Sequence, residues 1–401
     1  MLVAVANAVG SVAIPADSAK SIQYHNTSNW FWLINQGLAL LLALVLVLTR
    51  WGAGLHQLVS EFFTRRRIVS VAVFALLYFL LDRLVRLPIA FLWDRAYNEA
   101  SSVPNRDFVP WLGDYVSGWL VPISGLTLVV IVAYWLISKS ARHWWLWASA
   151  AVSIVVLALL LAEPYTQTYK PLGNAPLDQR IAELAARTGI PRSAVVVENC
   201  APAASCPPGR VIGLGPTRLM LLNDALLAQN PESWTLQIVA HEAKHFVKDD
   251  NIKAFILLSA LAFAALGLAH VAGHFIVARW PRLIGFSEFS SPASLPLAVV
   301  LLSAFYVIAL PPVNAFRQQV ELEADRFALE LTRENQVQGQ MLASSVGAVG
   351  RVAEWSTFFG LFRATHPSVA ERVRLSNSYH PWQEGKPLKY ADEFVPTAQR
   401  K

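Results

Sequence analysis

The chain has 401 residues, of which 55% are hydrophobic and only 15% charged, and its mean hydropathy is +0.41. A water-soluble domain of this length does not carry that balance, and neither does a disordered chain. The formal net charge of +6 comes from residues that flank apolar runs, with no basic patch interleaved with aromatics, so nucleic acid is not an expected partner.

In chain order, Trp30 to Leu48, Ile68 to Trp93 with a charged interruption, Val116 to Ile137 and Trp144 to Leu161 are apolar. Each is about long enough to cross a hydrocarbon core of roughly 30 Å. Two more runs follow later, Ala254 to Ala278 and Leu295 to about Phe316. The first twenty residues are apolar but short, lack a basic leader and contain Pro15 and Asp17, so they read as neither a cleaved leader nor a seventh span. The expected architecture is mainly α, a polytopic membrane protein in the lipid bilayer with six spans. It divides into an N-terminal membrane domain of four spans (1–162), a polar segment (163–253), a transmembrane hairpin (254–316) and a second polar segment (317–401).

The first polar segment holds the chain's two cysteines, Cys200 and Cys206, in a Pro/Ala-rich stretch. Their spacing does not match a zinc ribbon. A short disulfide loop in an oxidising compartment is one reading, two free thiols the other. Further along stands His241-Glu242-Ala243-Lys244-His245, an HExxH pattern that on a helix sets two imidazoles one turn apart beside a carboxylate. Both imidazoles can reach one Zn2+, and Glu242 is placed to take a proton from a water that the metal activates. A pattern this short also turns up by accident. The run before it, Ser233 to Ala240, is mostly apolar with helical spacing, as a buried active-site helix requires.

A zinc site of this kind needs a third protein ligand, and Glu321-Leu322-Glu323-Ala324-Asp325 offers candidates. Glu321 and Asp325 share a helical face, whereas Glu323 points roughly the other way. Glu321 reads as the ligand, Asp325 as an acceptor that orients a ligating histidine, and Glu323 as a solvated side chain. For any one of these, the plainer alternative is a surface carboxylate paired with Arg326 or Arg317. Topology favours Glu321: the hairpin leaves the membrane next to His245 and returns just before Glu321, which puts both elements at one membrane face. His270 and His274 form a second pair four apart, within the fifth span. No glutamate accompanies them, so cross-helix hydrogen bonding is the expectation there, without a second metal.

HExxH, a membrane hairpin and then Glu321 to Asp325 followed by Arg326-Phe327-Ala328 resemble the integral-membrane zinc metalloproteases related to the type I CAAX prenyl protease. Leu87-Pro88 through Trp111-Leu112-Gly113-Asp114 resembles the loop after that family's second span. Pro171 to Leu222, with Gly213-Leu214-Gly215 and Arg218, resembles its strand-rich lead-in, and His366-Pro367 with Arg372 matches its H-P-x-x-x-x-R element. The resemblance implies Zn2+, a polypeptide substrate, His366 donating to the oxyanion, and Arg372 neutralising charge or anchoring Asp325. It also implies that Val211, Ile212 and Gly213 bind substrate backbone by strand addition, and that the spans enclose a chamber restricting access. The family reads H-E-x-G-H with a further histidine five residues later, whereas Lys244 and Asp250 stand here. Pro208-Gly209-Arg210 likewise replaces an Asn-Ala pair. These departures bear on local packing and substrate contact and leave the expected ligands intact.

Loop charge speaks to sidedness. Arg50, Arg65, Arg66, Arg67, Lys139, Arg142, Arg279 and Arg282 fall on one side, against Lys20, Arg95 and Arg106 on the other, with Arg83 and Arg86 at the end of the second span. The richer side is expected to be cytoplasmic. With six spans, the catalytic segments then face outward, into the periplasm of a bacterial inner membrane, whereas the prenyl protease works in the cytosol. The expected activity is zinc-dependent endoproteolysis of membrane-associated or unfolded polypeptides; a CAAX-type endopeptidase with a cytosolic site is the alternative. From another class, an inactive receptor or chaperone-like binder is disfavoured by the retained Glu242 and ligand set. A transporter is disfavoured by the lack of an internal repeat.

Overall fold

The structure, a computed structural model, describes residues 10–199, 206–347 and 351–394. Its helices are α1 (Ala19–Leu48), α2 (Trp51–Phe62), α3 (Arg67–Ser101), α4 (Phe108–Ser117), α5 (Leu120–Lys139), α6 (Trp144–Ala162), α7 (Pro176–Ala186), α8 (Asp224–Gln229), α9 (Glu232–Val247), α10 (Asp250–Arg279), α11 (Pro281–Ile284), α12 (Leu295–Thr332), α13 (Asn335–Ser344), α14 (Thr357–Phe362) and α15 (Val369–Ser378). Strands β1 (Lys170–Pro171), β2 (Val195–Glu198), β3 (Gly209–Ile212) and β4 (Leu219–Asn223) form one sheet in the order β1-β2-β4-β3. The β2–β4 pair is parallel and the two flanking pairs are antiparallel.

Six helical segments among the described residues are long and apolar enough to cross a membrane, and each contains one of the expected runs. Two features differ from the sequence reading. The stretch between the first two spans holds α2, whose 12 residues are too few to span. It buries Gly52 and Val59 and exposes Trp51, Leu58 and Phe62. The sixth apolar run and the Glu321 segment are also one helix: α12 continues for 38 residues through Pro311 and Pro312.

Contacts divide the chain into two compact units. One comprises residues 19–154 and 258–310. Its core joins Leu46 and Val47 of α1, Phe74 and Tyr78 of α3, Tyr134 of α5 and Val277 of α10. Tyr134 donates a buried hydrogen bond to Ser294 Oγ at 2.7 Å, and that hydroxyl donates onward to the Phe289 carbonyl. Leu128, Val129, Leu268 and Val271 stay exposed, as lipid-facing side chains do.

The other unit comprises the described residues of 1–18, 155–257 and 311–401 and holds the sheet. Its strands are rich in Val and Leu, which fit a pleated surface buried on both faces. Val195, Met220 and Leu222 turn to a core shared with Ile181 and Leu184 of α7, Val239, Ala240 and Ala243 of α9, and Phe327, Ala328 and Leu331 of α12. Val196, Ile212 and Leu221 form a second cluster. The small side chains of Ala240, Ala243 and Ala328 leave room for polar groups between the helices. Gln237 Nε2 donates to Gln338 Oε1, and Thr332 Oγ1 donates to Gln237 Oε1 at 2.9 Å.

Candidate metal centre and active site

Helix α9 begins after Pro231 with Glu232 in its first turn and carries His241, Glu242 and His245 near its C-terminal end. Arg218 finishes it: the guanidinium lies 4.6 Å over the Phe246 ring, donates to the Phe246 carbonyl and pairs with Asp249 Oδ1 at 2.8 Å. A cation there meets the negative end of the helix dipole. The chain then turns through Asp249, whose φ of 51° is left-handed, a conformation Asp tolerates better than most residues. The turn starts α10 at Asp250, so that its carboxylate faces back toward α9.

His241 Nε2 lies 3.3 Å from His245 Nε2 and 3.3 Å from Glu321 Oε2, while His245 Nε2 lies 3.9 Å from Glu321 Oε1. Among the described residues, this is the one group of three or more His, Cys, Asp or Glu side chains whose ligand atoms all lie within 4.8 Å of one another. Bonds of about 2.0–2.1 Å in a tetrahedral shell put ligand atoms about 3.4 Å apart, so two nitrogens and one carboxylate at these separations suit zinc. Both Nδ1 atoms face away from the cluster. His241 Nδ1 donates to Asp325 Oδ1 at 3.0 Å and His245 Nδ1 to Asp250 Oδ2 at 2.7 Å. In a neutral imidazole, that leaves each Nε2 lone pair aimed at the centre.

Each orienting carboxylate has a cation. Arg372, on α15, donates to Asp325 through Nε at 2.7 Å and Nη2 at 2.6 Å. Lys244 Nζ lies 2.8 Å from Asp250 Oδ2. Burial by itself would lower the pKa of His241, but its hydrogen bonds to Asp325 and Glu321 outweigh that and push it up to about 10.

Of the remaining expected residues, His366 is exposed, with Nε2 3.6 Å from Glu321 Oε2 and Nδ1 3.0 Å from Thr365 Oγ1, on the open side of the cluster. Glu323 points away and pairs with Lys389 at 3.1 Å. Strand β3 pairs with β4 alone, so among the described residues its other edge is unpaired. The Asn223 N–H donates to the Pro208 carbonyl, so with this register the main-chain groups of Gly209 and Val211 point outward. Asn251 Nδ2 donates to the Val211 carbonyl at 3.2 Å and to that of Gly213 at 3.0 Å, and Ile212 is buried. Gly209 is the outward residue beside the Glu242 carboxylate: a Cβ placed on it would lie 2.8 Å from Glu242 Cγ. Of the two cysteines, Cys200 lies outside the described residues.

Sequence reading missed Lys244, Asp250, Asn251 and Gly209 as parts of the site. One signal was present in the letters. The two departures from the resembling family at 244 and 250 are a cation and an anion, which implies that each answers the other.

A sequence model of peptidase family M48 matches residues 171–378, more than half of the chain. The chain belongs to peptidase family M48. A second model, described as CAAX prenyl protease N-terminal, five membrane helices, matches residues 5–172 of this M48 chain. An uncharacterized metalloprotease of Bacillus subtilis, YhfN, is 24% identical over 369 residues, covering 90% of this chain and 85% of its own length. A CAAX prenyl protease 1 homolog of Arabidopsis thaliana is 22% identical over 276 residues, 66% of this chain and 63% of that protein. The crystal structure of S. mikatae Ste24p superposes with a TM-score of 0.71 at 17% identity, covering 90% of this chain and 88% of that one, and so shares the fold. This M48 peptidase is a multi-pass integral membrane metalloendopeptidase. Membership implies a metal, typically zinc, and a polypeptide substrate.

Proposed function

We propose that His241, His245 and Glu321 hold Zn2+ and that Glu242 is the general base of an endopeptidase. The observation that carries the reading is the convergence of three ligand atoms within 4.8 Å, with a separate carboxylate on the outer nitrogen of each histidine. Zinc bound there supplies a Lewis acid that polarises the scissile carbonyl and lowers the pKa of a water. Glu242 would take a proton from the attacking water and pass it to the leaving amine. His366, on the open side, donates a hydrogen bond to the developing oxyanion. Asp325 and Arg372 act as positioning residues: Arg372 fixes Asp325, and Asp325 fixes the ring of His241.

The substrate lies as an added strand along the free edge of β3, its first pairing at Gly209, because the outward carbonyls at Val211 and Gly213 already accept from Asn251. Extended, membrane-associated or unfolded polypeptides suit that geometry. Residues 163–253 and 317–401 make up the protease domain, interrupted by the hairpin at 254–316. Purified wild type should contain about one zinc per chain and cleave casein; Glu242→Ala should keep the zinc and lose cleavage by about 100-fold or more, the scale of a general base. Full activity in that variant sinks the mechanism.

The site faces outward from the cytoplasm, in a bacterial inner membrane, on the strength of the eight basic residues in the opposite set of loops, Arg50 to Arg282. A reporter fused after Lys401 that works only in an oxidising, exoplasmic compartment should be active. A fusion active only as a cytoplasmic reporter reverses the orientation.

A further inference from the structure

Lys244 lies inside the HExxH pattern, yet its side chain is 0% exposed. A lysine is almost never buried completely without partners, because its ammonium loses hydration that only close acceptors replace. Here the acceptors are Asp250 Oδ2 at 2.8 Å and the Val320 carbonyl at 2.9 Å, with Glu323 Oε2 at 3.9 Å. Val320 is the residue before Glu321, so the ammonium grips the backbone of α12 next to the third ligand. The same Asp250 oxygen accepts from His245 Nδ1 at 2.7 Å, and its other oxygen accepts from Lys253 at 2.7 Å. One buried cation thus touches the carboxylate that sets the His245 ring and the main chain that sets Glu321.

We propose that Lys244 and Asp250 form a coupled positioning pair for the metal centre, with Asp250 orienting His245 and Lys244 tying that carboxylate to the turn of α12 that presents Glu321. The inference rests on the zinc reading of His241, His245 and Glu321. Neither residue touches substrate, and neither is a ligand. Their effect is on how well two of the three ligands are held before metal arrives, which makes zinc affinity the direct readout. Arg372 serves His241 in the same way through Asp325 of α12, but from α15; Lys244 serves His245 from within α9 itself. The pairing also gives a physical reason for the two substitutions occurring together: alone, either charge would be left in the protein interior with its main partner missing.

The test measures zinc dissociation constants by chelator competition on full-length protein in detergent, for wild type, Glu321→Ala, Asp250→Asn, Lys244→Met and the Lys244→Met/Asp250→Asn double variant. Casein cleavage and the thermal stability of the zinc-free protein are followed alongside. Asp250→Asn keeps the shape and removes the charge, so it reads the pair even where Lys244→Met folds poorly. Each single variant should weaken zinc about 10- to 100-fold, the range for loss of an outer partner. The double variant should bind zinc at least as tightly as the weaker single, because the unmatched charge leaves with its partner. Unchanged zinc affinity in Asp250→Asn, or losses that simply multiply in the double variant, overturns the pair while loss of zinc in Glu321→Ala leaves the metal site standing. Equal zinc binding by wild type and Glu321→Ala overturns the site, and the pair with it.

Discussion

Two pairs of histidines in this chain have the same spacing and different surroundings. His241 and His245 on α9 have ring centroids 5.1 Å apart, and His270 and His274 on α10 have theirs 4.3 Å apart. In the first pair, each Nδ1 faces a carboxylate and both Nε2 atoms turn to Glu321. In the second, His270 Nδ1 accepts from Trp144 Nε1 at 3.1 Å, and His274 Nδ1 donates to the His270 carbonyl at 2.8 Å. Those imidazoles spend a ring nitrogen each on local hydrogen bonds, and among the described residues no third ligand joins them. Helical spacing brings two imidazoles together; carboxylates on the outer nitrogens and a third donor at the centre turn the pair toward a metal.

That contrast is sharpened by removing one carboxylate at a time and counting zinc. Glu321→Ala should lose zinc by more than the 10- to 100-fold that an outer partner is worth, because a bond to the metal goes. Glu323→Ala, two residues on and paired with Lys389, should bind zinc as wild type does. His270→Gln should also leave zinc content and cleavage unchanged, with a cost of about 1 kcal/mol in stability for the hydrogen bond from Trp144. Zinc lost from Glu323→Ala and kept by Glu321→Ala would move the ligand by two residues. Zinc lost from His270→Gln would erase the distinction between the pairs.

The parts of the site that were legible in the sequence are those fixed by a single helix. HExxH names His241, Glu242 and His245 because one α-helical turn sets their geometry, and the i, i+4 relation of Glu321 and Asp325 sorts them from Glu323 in the same way. The six spans were legible because length and hydropathy decide them, although the continuation of α12 through Pro311 and Pro312 was not. Arg372 was accessible only through resemblance, since nothing local ties α15 to α12. Asp250 depends on a left-handed turn at Asp249 that no hydrophobic pattern encodes. The role of β3 turns on which of its alternating residues face β4, and a shift of one residue reverses every main-chain group; the sequence identified the strand but not which edge groups were free.

Gly209 is where that last point can be tested with the smallest change. The residue needs no unusual φ, so its lack of a side chain matters for space alone: a Cβ would come within 2.8 Å of Glu242 Cγ and 3.1 Å of Ile238 Cγ2. Glu242 would have to swing aside, because Ile238 lies in the body of α9 and β3 is held by β4. Misplacing a catalytic group by about 1 Å costs up to about 100-fold in rate. Gly209→Ala should therefore lower kcat about 10- to 100-fold while zinc content stays that of wild type, since no ligand or orienting carboxylate touches position 209. An effect on zinc in place of kcat would mean that β3 supports the metal and not the base. An unchanged kcat would mean that the strand edge and Glu242 do not meet in the working enzyme, and the added substrate strand would have to start elsewhere.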